Sequence, residues 1–337
     1  MNISKKDSRI CLFDNLKFFL ILAVVVGHFA DAVSAKPGVY KAIFVFIYAF
    51  HMPLFLFFSG LFHSNKNVLI RVLRYVSVGF ATKIIFSLTN FVLGGKISFN
   101  LLKDSGIPWY MFVLAIYIVI TYALRNVDKK YLLVCSVLLA MFVGYDSTIG
   151  DYLYLSRIVV FYPFYLCGQI ITKEDILKLN SSKILKAVSV AVILAWLILC
   201  FTKTDIVTAL RPLFTGRNSF ESSEIFSKWG FLCRALCYMI TAVLSVAIIS
   251  LMPNRRLPLV TKFGSRTLQV YLWHWPVVLV LKKAGVMSAL MTGPAGKIAW
   301  LLIAVVLTFI LSLKPFSFPT KQIFTCCRYE SDINKQN

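Results

Sequence analysis

Long apolar runs separated by short polar segments dominate the hydropathy pattern of this chain. Each run is about 20 residues long, which is the length that a helix needs to cross the hydrocarbon core of a bilayer. The runs are continuously apolar and do not alternate, which argues against a transmembrane β-barrel. The pattern predicts an all-α integral membrane protein with about ten transmembrane helices. The predicted spans are 12–32, 40–62, 75–93, 109–124, 131–145, 155–172, 184–202, 231–251, 267–284 and 298–316.

The basic residues between the spans predict how the chain is oriented. Segments on the side of the N-terminus contain 21 Lys and Arg, against 11 on the opposite side. Because basic residues concentrate on the cytoplasmic side, both termini are predicted to be cytoplasmic. The basic N-terminus and first apolar run resemble a signal peptide, but Asp14 and Lys17 inside the run favour a retained first helix.

Composition narrows the class of protein further. The chain has 337 residues, is 59% hydrophobic and carries a net charge of +22. Its charges lie between apolar spans, so they indicate membrane orientation and no nucleic-acid partner. The eight cysteines show no disulfide or zinc pattern, so we expect reduced thiols and no metal. We predict one transmembrane domain over 1–325, a disordered cytoplasmic tail over 326–337, and a candidate lid over the polar stretch 203–230.

The first predicted helix carries the most informative polar residues. An ionisable side chain at the centre of a bilayer costs about 2.5–3.5 kcal/mol on insertion scales, so such residues usually face a cavity. Lys17 and His28 are eleven residues apart, which places them on one helix face about 16 Å apart along the axis. Together with Asp14 they are candidate catalytic residues, with His28 as a base. The simpler alternatives are a snorkelling lysine and a histidine that is hydrogen-bonded between helices.

The second span contains His51 and Pro53 near its middle and Ser59-Gly60 further on. Proline removes a backbone hydrogen bond and kinks a helix, while a Ser-Gly pair allows two helices to approach closely. His51 is a further catalytic candidate and Ser59 a substrate-positioning candidate. The alternative is that both residues serve packing alone.

Arg71 and Arg74 begin the third span at the predicted cytoplasmic surface. Residues three apart share a helix face, and arginine pairs suit phosphates because guanidinium groups bind them in a bidentate manner. Contact with lipid phosphates explains the same pattern equally well.

Three further residues within the spans are candidates for positioning a substrate. Trp109 opens the fourth span, where an interfacial aromatic belt is the favoured explanation. Arg157 begins the sixth span and needs a partner, for which Asp146 and Asp151 are candidates. His274 in the ninth span is the third histidine inside the membrane.

These residues, in this order, resemble the membrane-bound acyltransferase-3 family, most closely its fucose 4-O-acetylase-related branch. The resemblance covers about residues 9–275. The segments that carry it are DNLKFFLILAVVVGHF, FHMPLFLFFSGLF, RVLR, PWYMFVLAIY, LSRIVVFYPFYLCG and FGSRTLQVYLWH.

The resemblance implies a ten-helix enzyme that transfers an acyl group, usually acetyl, from acyl-CoA to a carbohydrate hydroxyl. Its basic-residue-to-histidine motif falls on Lys17 and His28, although many members have arginine at the first position. Its Arg-x-x-Arg motif, used toward the CoA phosphates, falls on Arg71 and Arg74.

We therefore predict an acetyl-CoA-dependent O-acetyltransferase of a bacterial plasma membrane that acts on a surface polysaccharide or its lipid-linked precursor. Direct transfer and an acyl-histidine intermediate both remain open. A multi-span transporter of a small polar or glycan-related solute is the alternative, since intramembrane His, Lys and Arg also occur in proton relays. A third alternative is a catalytically silent protein that only organises glycan assembly.

Overall fold

A computed structural model of the protein describes residues 10–33, 38–97, 99, 100, 102, 106–217 and 219–325. These residues form helices and loops with no β-strand among them, which confirms the all-α class. The predicted disordered tail, 326–337, lies outside the described residues. The α-helices are α1 (Cys11–Asp31), α2 (Val39–Tyr48), α3 (His51–Leu61), α4 (Val68–Val92), α5 (Trp109–Ala123), α6 (Lys129–Phe142), α7 (Leu155–Ile170), α8 (Lys173–Ser181), α9 (Lys183–Thr202), α10 (Thr204–Ala209), α11 (Arg211–Thr215), α12 (Glu224–Leu251), α13 (Pro258–Phe263), α14 (Thr267–Lys283), α15 (Val286–Leu290) and α16 (Pro294–Leu311). Short 3-10 helices cover Val143–Tyr145, Tyr152–Tyr154, Phe220–Ser222 and Lys314–Ser317.

Several of these helices are long and apolar enough to cross a membrane. Within the described ranges there are six such segments: Cys11–Asp31, Val39–Leu61, Tyr152–Ile170, Lys183–Thr202, Glu224–Leu251 and Pro294–Leu311. The other four predicted spans fall on α4, α5, α6 and α14. Helix α6 has 14 residues and is therefore about 21 Å long, shorter than a hydrocarbon core of about 30 Å. A multi-pass membrane protein is confirmed, whereas the count of ten and the orientation stay predictions.

Helix α1 is the centre of the bundle and packs against α2, α3, α13, α14 and α16. Its start is fixed by the fully buried side chain of Asn15. The Asn15 Nδ2 donates to the carbonyl oxygens of Pro253 and Arg255 at 2.8 and 3.0 Å, and its Oδ1 accepts from the Thr261 hydroxyl at 2.6 Å. A buried amide whose donors and acceptor are all used holds a helix in one orientation. This network therefore fixes the helix face that carries Lys17.

The second predicted span is broken into α2 and α3. The break lies at Ala49 and Phe50, ahead of Pro53, because proline has no N–H to bond the carbonyl four residues earlier. That carbonyl, on Ala49, instead accepts a hydrogen bond of 2.6 Å from the Thr241 hydroxyl of α12. The predicted kink is confirmed, and the structure adds the partner that satisfies the freed carbonyl.

Helices α3 and α7 cross at two glycines. A Cβ on Gly60 would lie 1.9 Å from the backbone oxygen of Tyr165, and one on Gly168 would lie 1.9 Å from that of Phe57. Any larger side chain would force the helices apart. The close approach predicted from the Ser-Gly pair is thus confirmed, and α7 is the helix that approaches.

Candidate active site

A cavity of about 460 Å³ lies beside α1, at the end of the bundle where that helix begins. Its walls come from α1, α3, α4, α5 and α14. It brings together five of the residues singled out from the sequence: Lys17, His28, Ser59, Arg71 and Trp109. We call it the donor cavity. The same-face spacing of Lys17 and His28 is therefore confirmed as a shared cavity wall.

Lys17 lies at the mouth of the donor cavity, in a charged and aromatic setting. Its Nζ is 3.7 Å from a carboxylate oxygen of Asp14, one helical turn earlier. Asp14 is only 2% exposed, so its charge is held at a fixed place behind the lysine. The same Nζ lies 5.0 Å from the centre of the Phe62 ring, within the range of a cation–π contact. Lys17 is therefore a positioned cation.

His28 lies deeper, within a group of aromatic rings. Its ring centre is 5.2 Å from that of His274, 5.5 Å from that of Trp275 and 6.4 Å from that of Tyr48. His274 Nδ1 is bonded to the Val270 carbonyl at 2.9 Å. Its Nε2 is buried and has no hydrogen-bond partner among the described residues. The structure thus brings the first and ninth predicted spans together at two histidines.

A second cavity of about 120 Å³ lies near the C-terminal end of α1, at Asp31. We call it the acceptor cavity. It is lined by His28, His51, Trp109 and Arg157 among the sequence candidates, so His28 and Trp109 border both cavities.

His51 is more remote from the donor cavity than His28 is. Its Nδ1 is bonded to the Ile47 carbonyl at 2.9 Å, and its ring lies 4.6 Å from that of Tyr48. The Tyr48 ring is therefore a neighbour of both His51 and His28. Because a backbone oxygen occupies Nδ1 of His51, only Nε2 is left for a further polar contact.

Trp109 and Arg157 form a stacked pair. The guanidinium carbon of Arg157 lies 4.6 Å from the centre of the Trp109 ring, and both side chains are buried. The interfacial aromatic belt expected for Trp109 is therefore wrong, because the indole lies inside the bundle. Asp151, a predicted partner for Arg157, accepts three hydrogen bonds from Arg217, with the shortest at 2.5 Å.

The polar stretch that the sequence predicts as a lid supplies one wall of the acceptor cavity. Arg211 and Arg217 line this cavity. Arg211 pairs with Asp31 at 2.7 Å, and Arg217 pairs with Asp151. Two ion pairs thus tie 203–217 to the bundle. The sequence analysis did not single out these arginines, since their partners are 180 and 66 residues away along the chain.

Ser59 and Arg71 line another part of the donor cavity, and Arg74 lies behind its wall. The Ser59 hydroxyl is bonded to the Phe55 carbonyl at 3.0 Å and lies 3.1 Å from the Tyr110 hydroxyl. Arg71 lines the cavity and donates to the Ser64 carbonyl. Arg74 stands behind the wall with its guanidinium 5.3 Å from the ring of Phe324, which does line the cavity.

The chemistry offered is that of a part-exposed base, His28, between two spaces that are each lined by cations. A neutral imidazole accepts a proton from a hydroxyl, and guanidinium and ammonium groups stabilise developing negative charge or bind phosphates. Within the described ranges, no group of three or more His, Cys, Asp or Glu side chains is arranged to hold a metal ion.

Comparison with known families agrees with this geometry. A family model described as an acyltransferase domain, that of the acyltransferase-3 family, matches residues 12–313. Searches of curated proteins and of solved structures found no match. The matched range contains every residue of both cavities except Phe324. With its several membrane-length helices, the chain belongs to the acyltransferase-3 family and is a multi-pass membrane acyltransferase.

Proposed function

We propose that the protein is an O-acetyltransferase of a bacterial plasma membrane, of the fucose 4-O-acetylase-related branch. It transfers an acetyl group from acetyl-CoA to a sugar hydroxyl of a surface polysaccharide or its lipid-linked precursor. The observation that carries this proposal is that His28 borders both cavities. A base in that place meets a donor from one side of the membrane and an acceptor from the other.

The donor cavity suits the acyl end of acetyl-CoA. Its volume falls within the range of about 300–1,000 Å³ typical of small-molecule sites. Lys17 and Arg71 line it, and no acidic side chain from the described part of the chain does. Because Lys17 is about 16 Å from His28 along α1, its charge serves the phosphate-bearing part of the donor and not the reacting atoms. With both termini cytoplasmic, this mouth faces the cytoplasm.

His28 is the general base in this scheme. One of its ring nitrogens takes the proton of the sugar hydroxyl while the hydroxyl oxygen attacks the thioester carbonyl carbon. The new C–O bond forms, the C–S bond breaks, and the proton passes from His28 to the departing thiolate. Arg157 lines the acceptor cavity and packs on Trp109, which borders both cavities, so its guanidinium stabilises the negative charge that develops on the carbonyl oxygen in this scheme.

The acceptor cavity suits a hydroxyl-rich group. The side chains of Arg157, Arg211 and Arg217 provide N–H donors, while Tyr48 and Trp275 provide aromatic walls. A volume of about 120 Å³ admits the edge of one sugar ring and leaves the remainder of the acceptor outside. A polymer or a lipid-linked sugar therefore presents a single hydroxyl to His28.

The transporter alternative receives no support. The family match assigns acyl transfer to the chain, and no contact described above favours a transported solute.

Transfer of radiolabel from acetyl-CoA to membrane glycans tests the proposal. Membranes that contain the wild type should label glycan, and His28→Ala should lower the rate by about 10²–10⁴-fold, the usual contribution of a general base. Lys183→Gln, an exposed residue at the start of α9, is the control and should label normally. Labelling that is unchanged in His28→Ala contradicts the catalytic assignment. If wild-type membranes transfer no label from acetyl-CoA, the proposal that acetyl-CoA is the acyl donor is contradicted.

A further inference from the structure

A second basic cavity adjoins the donor cavity. It has a volume of about 350 Å³ and lies between the start of α14 and the segment 317–325 that follows α16. We call it the side cavity. It shares Ser265, Leu268 and Phe324 with the donor cavity, so the same side chains form a common wall of the two spaces.

The side cavity is positively charged. Among the described residues, Arg266 and Lys321 are the charged ones that line it, and none of the lining residues is acidic. Arg266 is held in place because its Nη1 donates to the Ser312 carbonyl at 3.0 Å. This bond uses one of the five N–H donors of a guanidinium. The remaining lining is largely hydroxyl groups, including those of Ser317 and Thr320.

Phe324 connects the basic residues of the two cavities. Its ring lines both spaces and packs against the Arg74 guanidinium at 5.3 Å. Arg71 on the donor cavity and Arg266 and Lys321 on the side cavity thus lie on either side of the shared wall at Phe324. A single elongated anion with one end in each cavity would meet cations at both ends.

We propose that the side cavity binds the 3′-phosphoadenosine end of the acyl-CoA donor, with Arg266 and Lys321 paired to its 3′-phosphate. This inference rests on the proposed function for the identity of the donor. A phosphate monoester carries a charge of about −1.5 to −2 near neutral pH, which two cations match. Arg71 then faces the diphosphate, with Arg74 behind the wall at Phe324, and the acyl arm extends past Leu268 along the donor cavity toward His28.

The experiment compares binding of CoA and 3′-dephospho-CoA to the purified full-length protein by calorimetry. These ligands differ only in the phosphate assigned to the side cavity. We expect the wild type to bind CoA about 10–100-fold more tightly than dephospho-CoA, as for charge-assisted hydrogen bonds. The double variant Arg266→Gln/Lys321→Gln should lose this preference and bind dephospho-CoA within about twofold of the wild type, which also shows that it is folded.

The matched control is Lys262→Gln/Lys314→Gln. It removes the same charge nearby, from residues that do not line the side cavity, and should retain the preference for CoA. An Arg266→Gln/Lys321→Gln protein that still prefers CoA overturns the inference and leaves the proposed function intact. A wild type that binds both ligands equally also overturns the inference. If anionic-lipid vesicles then stabilise the wild type but not the Arg266→Gln/Lys321→Gln protein, the ligand of the side cavity is a lipid phosphate. A wild type that binds neither ligand overturns the acetyl-CoA donor as well.

Discussion

At the scale of single residues, His28 is distinguished from the other two intramembrane histidines by its surroundings. His51 and His274 each have Nδ1 bonded to a carbonyl in the preceding helical turn. His274 is also fully buried, whereas His28 is part-exposed and borders both cavities. The accessibility of its side chain from both cavities therefore favours His28 as the base, and His274 lies beside it in a supporting position.

Lys17 should affect binding of the donor more than the chemical step. Lys17→Gln is expected to raise the apparent KM for acetyl-CoA about tenfold, because a charge-assisted hydrogen bond contributes about 1.5–3 kcal/mol. The kcat should change by less than about threefold, since Lys17 is about 16 Å from His28. Lys17→Arg, which keeps the charge and resembles related sequences, is the control. A fall in kcat with an unchanged KM would instead place Lys17 at the reacting atoms.

The sequence predicted residue contacts that depend on local spacing and missed those that depend on the tertiary fold. Helical periodicity was sufficient to place Lys17 and His28 on one wall. It could not predict that His274 lies 5.2 Å from His28, since 246 residues separate them. Nor could it predict that Asp151 pairs with Arg217, because several basic residues were equally plausible partners.

At the scale of helices, the crossing of α3 and α7 depends on two glycines. Gly60→Ala should destabilise the protein by about 1–3 kcal/mol, the usual cost of overpacking, because its Cβ would overlap the Tyr165 carbonyl. Gly150→Ala is the control, since nothing lies within 4 Å of its Cβ. Thermal unfolding in detergent measures the difference. Equal midpoints for the two variants would show that the crossing is looser than the structure indicates.

The break between α2 and α3 makes a separate prediction. Thr241→Val removes the hydroxyl that satisfies the Ala49 carbonyl, so it should cost about 1–3 kcal/mol for an unsatisfied buried acceptor. Thr308→Val is the matched control, because the Thr308 hydroxyl bonds a carbonyl of its own helix, on Ala304. The free energy of unfolding of both variants can be compared in the same detergent, and a larger loss for Thr308→Val contradicts the prediction.

Helix boundaries show why the sequence predicted the kink but did not give the residues at which the helix breaks. Proline marks the residue whose N–H is missing, but the unpaired carbonyl lies four residues earlier. The break therefore falls at Ala49 and Phe50, ahead of Pro53. Hydropathy likewise predicted that a helix exists near 131–145, yet it cannot report that α6 has only 14 residues.

At the scale of the whole molecule, the orientation in the membrane follows from charge bias and can be measured directly. Helix α9 is 20 residues long, about 30 Å, and so spans a hydrocarbon core. Lys178 and Lys203 lie near its two ends and are exposed. In a cysteine-free background, Lys203→Cys should react with a membrane-impermeant maleimide in intact cells, and Lys178→Cys only after permeabilisation. The reverse labelling pattern would contradict cytoplasmic termini and would place the donor cavity on the opposite side of the membrane.

The shared walls of the two cavities also bear on the electrical properties of the membrane. His28, Met52, Ile107 and Trp109 border both spaces. If the donor cavity opens to the cytoplasm and the acceptor cavity to the outside, as proposed, only these side chains separate the two aqueous spaces. In the proposed function, the same residues that bring two substrates together would also block the leakage of protons and ions, and we expect that shortening one of them would let ions pass.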